Sequence, residues 1–284
     1  MRTWSLRQKC AGKTVGFVPT MGALHEGHLS LVRASCAECG TTVVSIFVNP
    51  AQFAPHEDFD AYPREFESDS AKCAELGVDV IYAPRGSAMY PEDYATYVRV
   101  EGLSEGLCGA SRPHFFGGVA TVVAKLFNAV LPDRAYFGQK DAQQYAVIRR
   151  MARDLDLGVE VIAMPIVREP DGLAMSSRNQ YLDAEGRKRG LCLSRSLCAA
   201  REALEQGERD AERIRAMVRE GMGEVEIDYV ELVDAATLRP VDTVDRPVLL
   251  AVAAQVGQAR LIDNIMFEPG QKPSNHGERK AECC

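Results

Sequence analysis

Short apolar segments alternate with longer segments of helical periodicity over the first two thirds of the chain. The apolar segments are rich in β-branched or aromatic residues, as in strands buried on both faces, and they cover residues 14–19, 42–48, 78–84, 134–138 and 159–167. Helical periods between them end at Gly40, at Gly77 and at about Leu157. This alternation predicts right-handed βαβ crossovers and an α/β domain with a parallel sheet, whose ligands gather beyond the carboxyl ends of the strands.

The pattern changes after about Val167. A polar loop comes first, followed by charged amphipathic helices that reach about Gly223. Three more apolar segments, at residues 227–234, 247–256 and 259–267, predict a small antiparallel sheet. We therefore expect one domain over residues 1–167, a smaller α+β domain over residues 168–268 and a disordered tail over residues 269–284, where few residues are apolar.

Length and composition are those of a chain that can bury a substantial core. Of its 284 residues, 46% are hydrophobic, and 33 basic residues against 40 acidic ones give a formal charge of -7. The basic residues are scattered, so no nucleic-acid surface is predicted. The opening segment MRTWSLRQKC contains no apolar signal region, and no apolar run approaches the roughly 18 residues of a membrane span. We expect a cytoplasmic protein with no membrane and no nucleic-acid partner.

Nine cysteines are an odd number in a chain without a secretion signal, which predicts reduced thiols rather than a disulfide framework. Cys36 and Cys39 form a CxxC motif, which would also suit a redox pair or half of a zinc site. The motif falls inside an apolar helical pattern, and no second CxxC or suitably spaced histidine pair completes it. We interpret both cysteines as structural and predict no metal site built by the protein alone.

The first predicted strand leads directly into a segment with the features of an anion site. It is PTMGALHEGH, residues 19–28, and a helical pattern starts at its end. Backbone N–H groups and the positive end of the helix dipole favour an anion there, and Gly27 permits a close approach. His25 and His28 flank this glycine and can donate to a phosphate whose charge grows in a transition state. The chain has no Walker A motif, so a P-loop is excluded.

Two further clusters contain groups that suit a polyphosphate. Gly138, Gln139, Lys140 and Asp141 lie at the end of the fourth predicted strand, where the lysine can reach a phosphate as a point charge. In the polar loop after the fifth strand, AMSSR at residues 174–178 combines hydroxyls, backbone N–H groups and a guanidinium. Taken alone, the first cluster is better interpreted as a solvated turn, and the second as an ordinary loop.

Together, the three clusters resemble the nucleotidyltransferase superfamily that includes the class I aminoacyl-tRNA synthetases, with an HxGH element early and a KMSKS-like loop late. More closely, the chain resembles the pantothenate synthetase family over nearly its whole length. Seven blocks carry this resemblance in order: PTMGALHEGH (19–28), SIFVNPAQF (45–53), DAYPR (60–64), SRPHFFGGVATVVAKLFN (111–128), FGQKDAQQ (137–144), VREPDGLAMSSRN (167–179) and ARLIDN (259–264). The resemblance implies a Rossmann-like nucleotidyltransferase domain, with the smaller domain closing over the site.

The resemblance assigns functional residues by their position in these blocks. It implies that His28 is the proton donor and that His25, Lys140 and Arg178 are the other catalytic residues. Gln52 and Gln144 match glutamines that hold pantoate, and Gln52 also lies by the β-alanine position. The implied ATP-binding residues are Met21, Gly22, Ala23, Leu24, His25, Glu26, Gly27, His28, Gly138, Gln139, Lys140, Asp141, Val167, Met175, Ser176, Ser177 and Arg178.

The implied reaction is the ATP-dependent condensation of pantoate with β-alanine to pantothenate. Pantoate attacks the α-phosphorus of ATP, which enters with Mg²⁺, to give pantoyl-adenylate and pyrophosphate. The amine of β-alanine then attacks the mixed anhydride and releases AMP, with no covalent enzyme intermediate and no tightly bound organic cofactor. The resemblance also implies a homodimer.

The block at residues 111–128 departs from the family pattern. The family has R-P-G-H-F-x-G, whereas this chain has His114 in place of the glycine and Phe115 in place of the histidine. We hypothesise that the enzyme is active and that His114 takes over part of the lost role. Two alternatives stay open: a relative that transfers the whole nucleotide to a phosphate acceptor, and a nucleotide-binding module that has lost catalysis.

Overall fold

The computed structural model describes residues 1–54, 57 and 59–270 of the chain. Its first strands are β1 (Val15–Thr20), β2 (Thr41–Ile46), β3 (Val80–Tyr82), β4 (Arg134–Gly138) and β5 (Glu160–Met164). They pair in the order β3-β2-β1-β4-β5, and every pair is parallel. The predicted parallel α/β sheet is confirmed, and each strand lies within its predicted segment or extends it by about one residue.

Helices connect and flank these strands. They are α1 (Arg2–Cys10), α2 (Glu26–Glu38), α3 (Phe66–Glu75), α4 (Gly86–Met89), α5 (Cys108–Ser111), α6 (Phe115–Val130) and α7 (Ala142–Asp154). Helix α2 packs closely on β1, because a Cβ on Gly16 would lie only 2.2 Å from Oγ of Ser35. Helix α7 ends at Asp154, earlier than the predicted end near Leu157.

Beyond β5, the chain forms the second predicted sheet. The elements there are α8 (Ala184–Glu205), α9 (Ala211–Met222), β6 (Glu226–Asp234), β7 (Val248–Val256) and β8 (Ala259–Phe267). The strands pair antiparallel in the order β6-β7-β8, and in the central strand only Gln255 is not buried. Leu197 of α8 and Ile214 of α9 belong to the same apolar core as β7. The predicted small antiparallel sheet is therefore confirmed.

The chain divides into two compact units. The first contains Met1–Ser104, Arg112–Gln139 and Gln144–Pro165, and the second contains Glu105–Ser111, Lys140–Gln143 and the chain from Ile166 on. The second unit thus includes two short segments from the first two thirds of the sequence. From residue 271 on, the tail predicted over residues 269–284 lies outside the described residues.

Of the seven cysteines in the described part of the chain, only Cys10 is exposed. No cysteine in the described part of the chain takes part in a disulfide. Cys36 lies within α2, and Cys39 is the cap at its end. Cys73 on α3 is fully buried, and this burial raises the pKa of its thiol to about 11. None of the helices in the same described ranges is long and apolar enough to cross a membrane.

Candidate active site

The loop between β1 and α2 carries the first predicted cluster. His25 is the N-terminal cap of α2, and its Nδ1 accepts a hydrogen bond of 3.2 Å from the backbone N–H of Gly27. In return, Nδ1 of His28 accepts one of 3.4 Å from the backbone N–H of His25. The two histidines form a reciprocal capping box at the helix N-terminus, with ring centroids 4.1 Å apart.

This capping box decides which ring nitrogen of each histidine carries the proton. A nitrogen that accepts a hydrogen bond is unprotonated, so each neutral ring bears its proton on Nε2. His25 and His28 therefore offer Nε2–H donors beside the first N–H groups of α2, where the helix dipole is positive. Donors at a helix N-terminus suit the phosphate groups of a nucleotide.

A buried carboxylate holds the backbone of the same loop. Asp69 on α3 is fully buried, and its Oδ2 accepts from the N–H of Ala23 at 2.8 Å while its Oδ1 accepts from that of Leu24 at 2.7 Å. Nζ of Lys72 donates to the carbonyl oxygen of Leu24 at 2.7 Å. Ala23 has a φ of 51°, a left-handed conformation that costs roughly 1 kcal/mol or more in a residue with a side chain. Asp69 and Lys72 thus fix a strained turn and the direction in which the loop enters α2.

The turn after β2 orients the predicted substrate glutamine. Pro50–Gln52 form one 3-10 turn, which Asn49 caps. Oε1 of Gln52 accepts from Nδ2 of Asn49 at 3.0 Å, and Nε2 of Gln52 donates to the sulfur of Met21 at 3.1 Å. Tyr90 donates from its hydroxyl to Oδ1 of Asn49 at 2.8 Å, which fixes the orientation of the Asn49 amide. Gln52 and Met21, both predicted site residues, are therefore in contact.

Helix α6 packs directly onto this turn. Nδ2 of Asn49 also donates to the carbonyl oxygen of Gly118 at 3.2 Å. A Cβ on Gly118 would lie 2.3 Å from the carbonyl oxygen of Ala51, far inside normal contact distance. Glycine at position 118 therefore lets α6 set the position of the turn that carries Gln52.

Arg112, just before α6, reaches the same turn through side-chain contacts. Its Nε and Nη2 each donate to the Glu57 carboxylate at 2.6 Å, and Nη2 also donates to the carbonyl oxygen of Gln52 at 3.3 Å. Its guanidinium lies 3.9 Å from the centroid of the Phe115 ring. Burial alone would raise the pKa of Glu57, but the hydrogen bonds from Arg112 and from the Ala54 backbone outweigh burial and leave that pKa below its usual value.

These contacts give a physical account of the departure from the family pattern at residues 114 and 115. Phe115 supplies a flat face on which the Arg112 guanidinium stacks, and an imidazole at that position could supply one too. His114 is exposed at the N-terminal cap of α6, and a protonated imidazole there would favour the ionised form of Glu57. Whether His114 takes over a polar role in the reaction stays a prediction.

The predicted clusters of the first unit lie along one edge of its parallel sheet. The 21–28 loop follows β1, the turn with Gln52 comes shortly after β2, and Gly138 is the last residue of β4. A cavity of about 360 Å³ opens at this edge, with Met21, Gly22, Phe47, Phe66 and Asp69 among its lining residues. Its volume lies within the roughly 300–1,000 Å³ of small-molecule sites, and its position is the one expected for a parallel sheet.

Lys140 and the polar loop lie together in the second unit. Nζ of Lys140 donates to the carbonyl oxygen of Met175 at 3.3 Å and lies 4.0 Å from the Asp141 carboxylate. The backbone N–H of Met175 donates to the carbonyl oxygen of Val167 at 3.0 Å. The structure thus brings together predicted residues from two separate sequence blocks.

The serine and arginine of the polar loop open a short helical turn. Ser176 caps the 3-10 turn Ser177–Tyr181, and its Oγ accepts from the N–H of Arg178 at 3.3 Å. Ser177 is buried, whereas Ser176 and Arg178 are half-buried. Gln144, the second predicted pantoate residue, is half-buried in the first turn of α7, within the first unit.

Comparison with known proteins decides the family. A sequence model described as Pantoate-beta-alanine ligase matches residues 1–266. The chain belongs to this family. The pantothenate synthetases of Heliobacterium modesticaldum and Thermotoga neapolitana are 55% and 57% identical to it over 271 and 270 residues, which are 94% of this chain and 96% of theirs. The chain is therefore an enzyme, a ligase that forms pantothenate.

Solved structures of the ligase family share the fold. The pantothenate synthetase of Thermus thermophilus is 48% identical with a TM-score of 0.87, covering 92% of this chain and 96% of its own. The pantoate-β-alanine ligase of Francisella tularensis, solved in complex with β-γ ATP and β-alanine, is 31% identical with a TM-score of 0.72, covering 90% of each chain. The Rossmann-like nucleotidyltransferase fold with a smaller α+β part is thus confirmed.

Sequence patterns point to the predicted site residues but not to the residues that hold them in place. Asp69, Lys72 and Tyr90 make contacts to residues 46, 48 and 41 positions away, which no local pattern encodes. One local signal exists for Asp69, because it lies four residues before the buried Cys73 on the same face of α3. A carboxylate on the buried face of a helix needs hydrogen-bond partners. For Asp69 these partners are the backbone N–H groups of Ala23 and Leu24.

Replacing Asp69 with asparagine is expected to lower the rate of pantothenate formation about tenfold, or roughly 1.4 kcal/mol of transition-state stabilisation. One carboxylate oxygen becomes an NH₂ donor that faces a backbone N–H, so the turn at Ala23 and Leu24 loses one of its two anchors. Steady-state assays of the purified variant measure this change.

The matched control is Asp133→Asn. Oδ2 of Asp133 accepts from the N–H of Val15 at 2.7 Å, at the opposite end of β1 from the site. We expect this variant to lower Tm but to keep the rate. Equal losses of rate in both variants would show that Asp69 acts only through stability.

Replacing Phe115 with leucine is expected to raise the KM for pantoate about three- to tenfold, because Arg112 loses the aromatic face on which it stacks. Phe115→His, which restores the family residue, should keep a KM close to that of the unchanged enzyme. Phe116→Leu is the packing control, since the neighbouring Phe116 is a buried core ring. The account is wrong if Phe116→Leu raises this KM as much as Phe115→Leu does.

Proposed function

We propose that this ligase forms pantothenate through a pantoyl-adenylate, with ATP as the activating substrate and AMP and pyrophosphate as products. The observation that carries the proposal is the capping box of His25 and His28 at the N-terminus of α2, the helix that the loop after β1 enters. The Francisella tularensis relative binds a β-γ ATP ligand together with β-alanine, which supports nucleotide use by this family member.

The proposed roles follow from the chemistry of each group. His25, His28 and the N–H groups of the 21–28 loop act on phosphate oxygens, where neutral and dipolar donors stabilise charge as it develops. Lys140 and Arg178 add positive charge, and the hydroxyls of Ser176 and Ser177 add donors to pyrophosphate oxygens. Adenosine contacts fall to Gly138, Gln139, Asp141 and Val167.

Gln52 and Gln144 are the proposed pantoate residues. A carboxamide donates from its NH₂ group and accepts at its oxygen, so it can bind a carboxylate and a hydroxyl group at once. The orientation of Gln52 supports this role, because Asn49 bonds its oxygen and leaves the amide directed at Met21 in the cavity wall. By the same family resemblance, we also propose that Gln52 neighbours the β-alanine position and that the enzyme is a homodimer.

In the first step, a pantoate carboxylate oxygen bonds to the α-phosphorus while the bond from that phosphorus to the bridging oxygen breaks, releasing pyrophosphate. The protein's contribution is to hold the two substrates in line and to stabilise charge on the leaving group. In the second step, the β-alanine amine attacks the acyl carbon, loses a proton and expels AMP. Both steps join substrates directly, so no side chain has to act as a nucleophile.

Mg²⁺ would enter bound to ATP and would neutralise charge on the β- and γ-phosphates. This ion is usually held by phosphate oxygens, waters and one or two carboxylates rather than by a protein cage. Within the described residues, no three His, Cys, Asp or Glu side chains cluster as a cage. Asp141, half exposed and beside Lys140, is the carboxylate that would take part.

The proposal is tested by following ATP, pyrophosphate and AMP separately. With ATP and pantoate alone, we expect one equivalent of pyrophosphate per active site and little AMP, whereas β-alanine should turn this burst into continuous release of both products. A stable dinucleotide product, or nucleotide binding without pyrophosphate release, would contradict the proposal.

Variants of His28 separate its capping role from its role at the phosphates. The amide oxygen of His28→Asn can replace Nδ1 as the cap, but no donor remains near the Nε2 position, so we expect adenylation to fall by roughly 10²-fold or more with Tm nearly unchanged. His28→Gln can place an N–H near the Nε2 position and should keep more activity. Rapid-quench measurement of pyrophosphate formation compares the two variants, and the role is refuted if His28→Asn adenylates at the normal rate.

A further inference from the structure

The ARLIDN block at residues 259–264 contains a pair of buried polar residues without a part in the mechanism above. Asp263 and Asn264 lie next to each other on β8 and are each 3% exposed. Successive side chains of a strand point to opposite faces, so the two residues reach different neighbours. Their contacts lead to the two elements of the second unit that carry the side chains proposed to bind the phosphates of ATP.

Asp263 holds the base of the polar loop through Arg168. Its two oxygens accept from Nη1 and Nη2 of Arg168 at 2.7 and 3.0 Å, and both side chains are nearly inaccessible to solvent. Nη1 of Arg168 also donates to the carbonyl oxygen of Gly172 at 3.1 Å. Oδ1 of Asp263 takes a further hydrogen bond, at 2.8 Å, from the N–H of Asn264. A buried bidentate pair with these added bonds has a single geometry.

Arg168 in turn starts the small hairpin that ends at the proposed pyrophosphate loop. It forms an antiparallel bridge with Ala174, and the N–H of Glu169 donates to the carbonyl oxygen of Leu173 at 2.8 Å. The next residue, Met175, closes the hairpin through its bond to Val167. The position of residues 175–178 is therefore set by the hairpin that Asp263 fixes through Arg168.

Asn264 holds the other element. Its Nδ2 donates to the main-chain carbonyl oxygen of Lys140 at 2.9 Å, and Nζ of Lys140 donates to the carbonyl oxygen of Met175 at 3.3 Å. Asn264 thus holds the backbone of Lys140, whose side chain contacts the loop that Asp263 fixes through Arg168.

We propose that Asp263 and Asn264 are positioning residues that set Lys140 and the 175–178 loop in register for the phosphates of ATP. This inference rests on the proposed function, because it takes Lys140 and the loop to be the groups that bind ATP. The competing view is that the pair only completes the core of the second unit. The two views differ in whether the effect of Asn264 passes through Lys140.

A double-mutant cycle on ATP binding separates them. Asn264→Leu keeps the number and branching of the side-chain heavy atoms but removes the donor to Lys140, and Lys140→Ala removes the side chain that this donor positions. ATP dissociation constants are measured calorimetrically without pantoate, so variants that turn over poorly still give values. We expect each single variant to raise the constant about tenfold, and the double variant to exceed Lys140→Ala by no more than about twofold.

Two results would overturn the inference. If the effect of Asn264→Leu is as large with Lys140→Ala as without it, the positioning inference is overturned while the proposed role of Lys140 stands. If Lys140→Ala leaves ATP binding unchanged, the proposed ATP-binding role of Lys140 is wrong. The inference, which depends on that role, is then wrong too. Ile265→Val, beside Asn264 in the same buried strand, is the stability control and should lower Tm without changing ATP affinity.

Asp263→Asn provides a readout besides ligand binding. It leaves Arg168 with one weaker acceptor, so amide hydrogen exchange should speed up about tenfold over residues 167–178 while β7 stays protected. Uniform acceleration across the second unit would mean that Asp263 stabilises the core in general, and the part of the inference that concerns the loop would be withdrawn.

Discussion

Parallel pairing of β1 with both β2 and β4 sets where the chemistry of the first unit can occur. Neighbouring strands lie about 5 Å apart, and in a parallel sheet their carboxyl ends share one edge. Met21, Gln52 and Gly138 are far apart in sequence, yet each lies at or shortly beyond the carboxyl end of one of these three strands. Topology alone therefore gathers the loops, and side-chain contacts have only to adjust their final positions.

That adjustment depends on buried carboxylates. Asp69 accepts two backbone N–H groups below the β1–α2 loop, and Asp263 accepts both arms of Arg168 below the loop that carries Arg178. A buried charge without partners costs several kcal/mol, and even a paired one adds little net stability compared with an apolar pair. What such groups provide is a single arrangement of the backbone. A misplacement of about 1 Å can cost about 10² in rate, so a phosphate site benefits from this more than from added stability.

Sequence periodicity predicts the strands well, but it does not identify the buried polar residues that hold the loops in place. β4 and β8 have their predicted bounds, because turn residues flank short apolar runs in both. Helix α1 escapes such a prediction because Ser5 is its only buried residue, which leaves no apolar stripe to detect. The roles of Asp69 and Asp263 depend on contacts made after the chain has folded. Likewise, Lys140 follows β4 directly in sequence, yet it belongs to the second compact unit, and only long-range contacts decide that.

The formal charge of -7 explains why so much buried polar structure is devoted to loop geometry. The field of an acidic protein opposes an anionic nucleotide at long range, and salt screens that field beyond about 10 Å. Attraction must then come from donors at hydrogen-bond distance. In the first unit, the donors that we propose are the Nε2–H groups of His25 and His28 and the N–H groups of the helix, whose strength grows in a site of low dielectric. Donors of this kind act only over a few ångströms, so their positions matter more than their number.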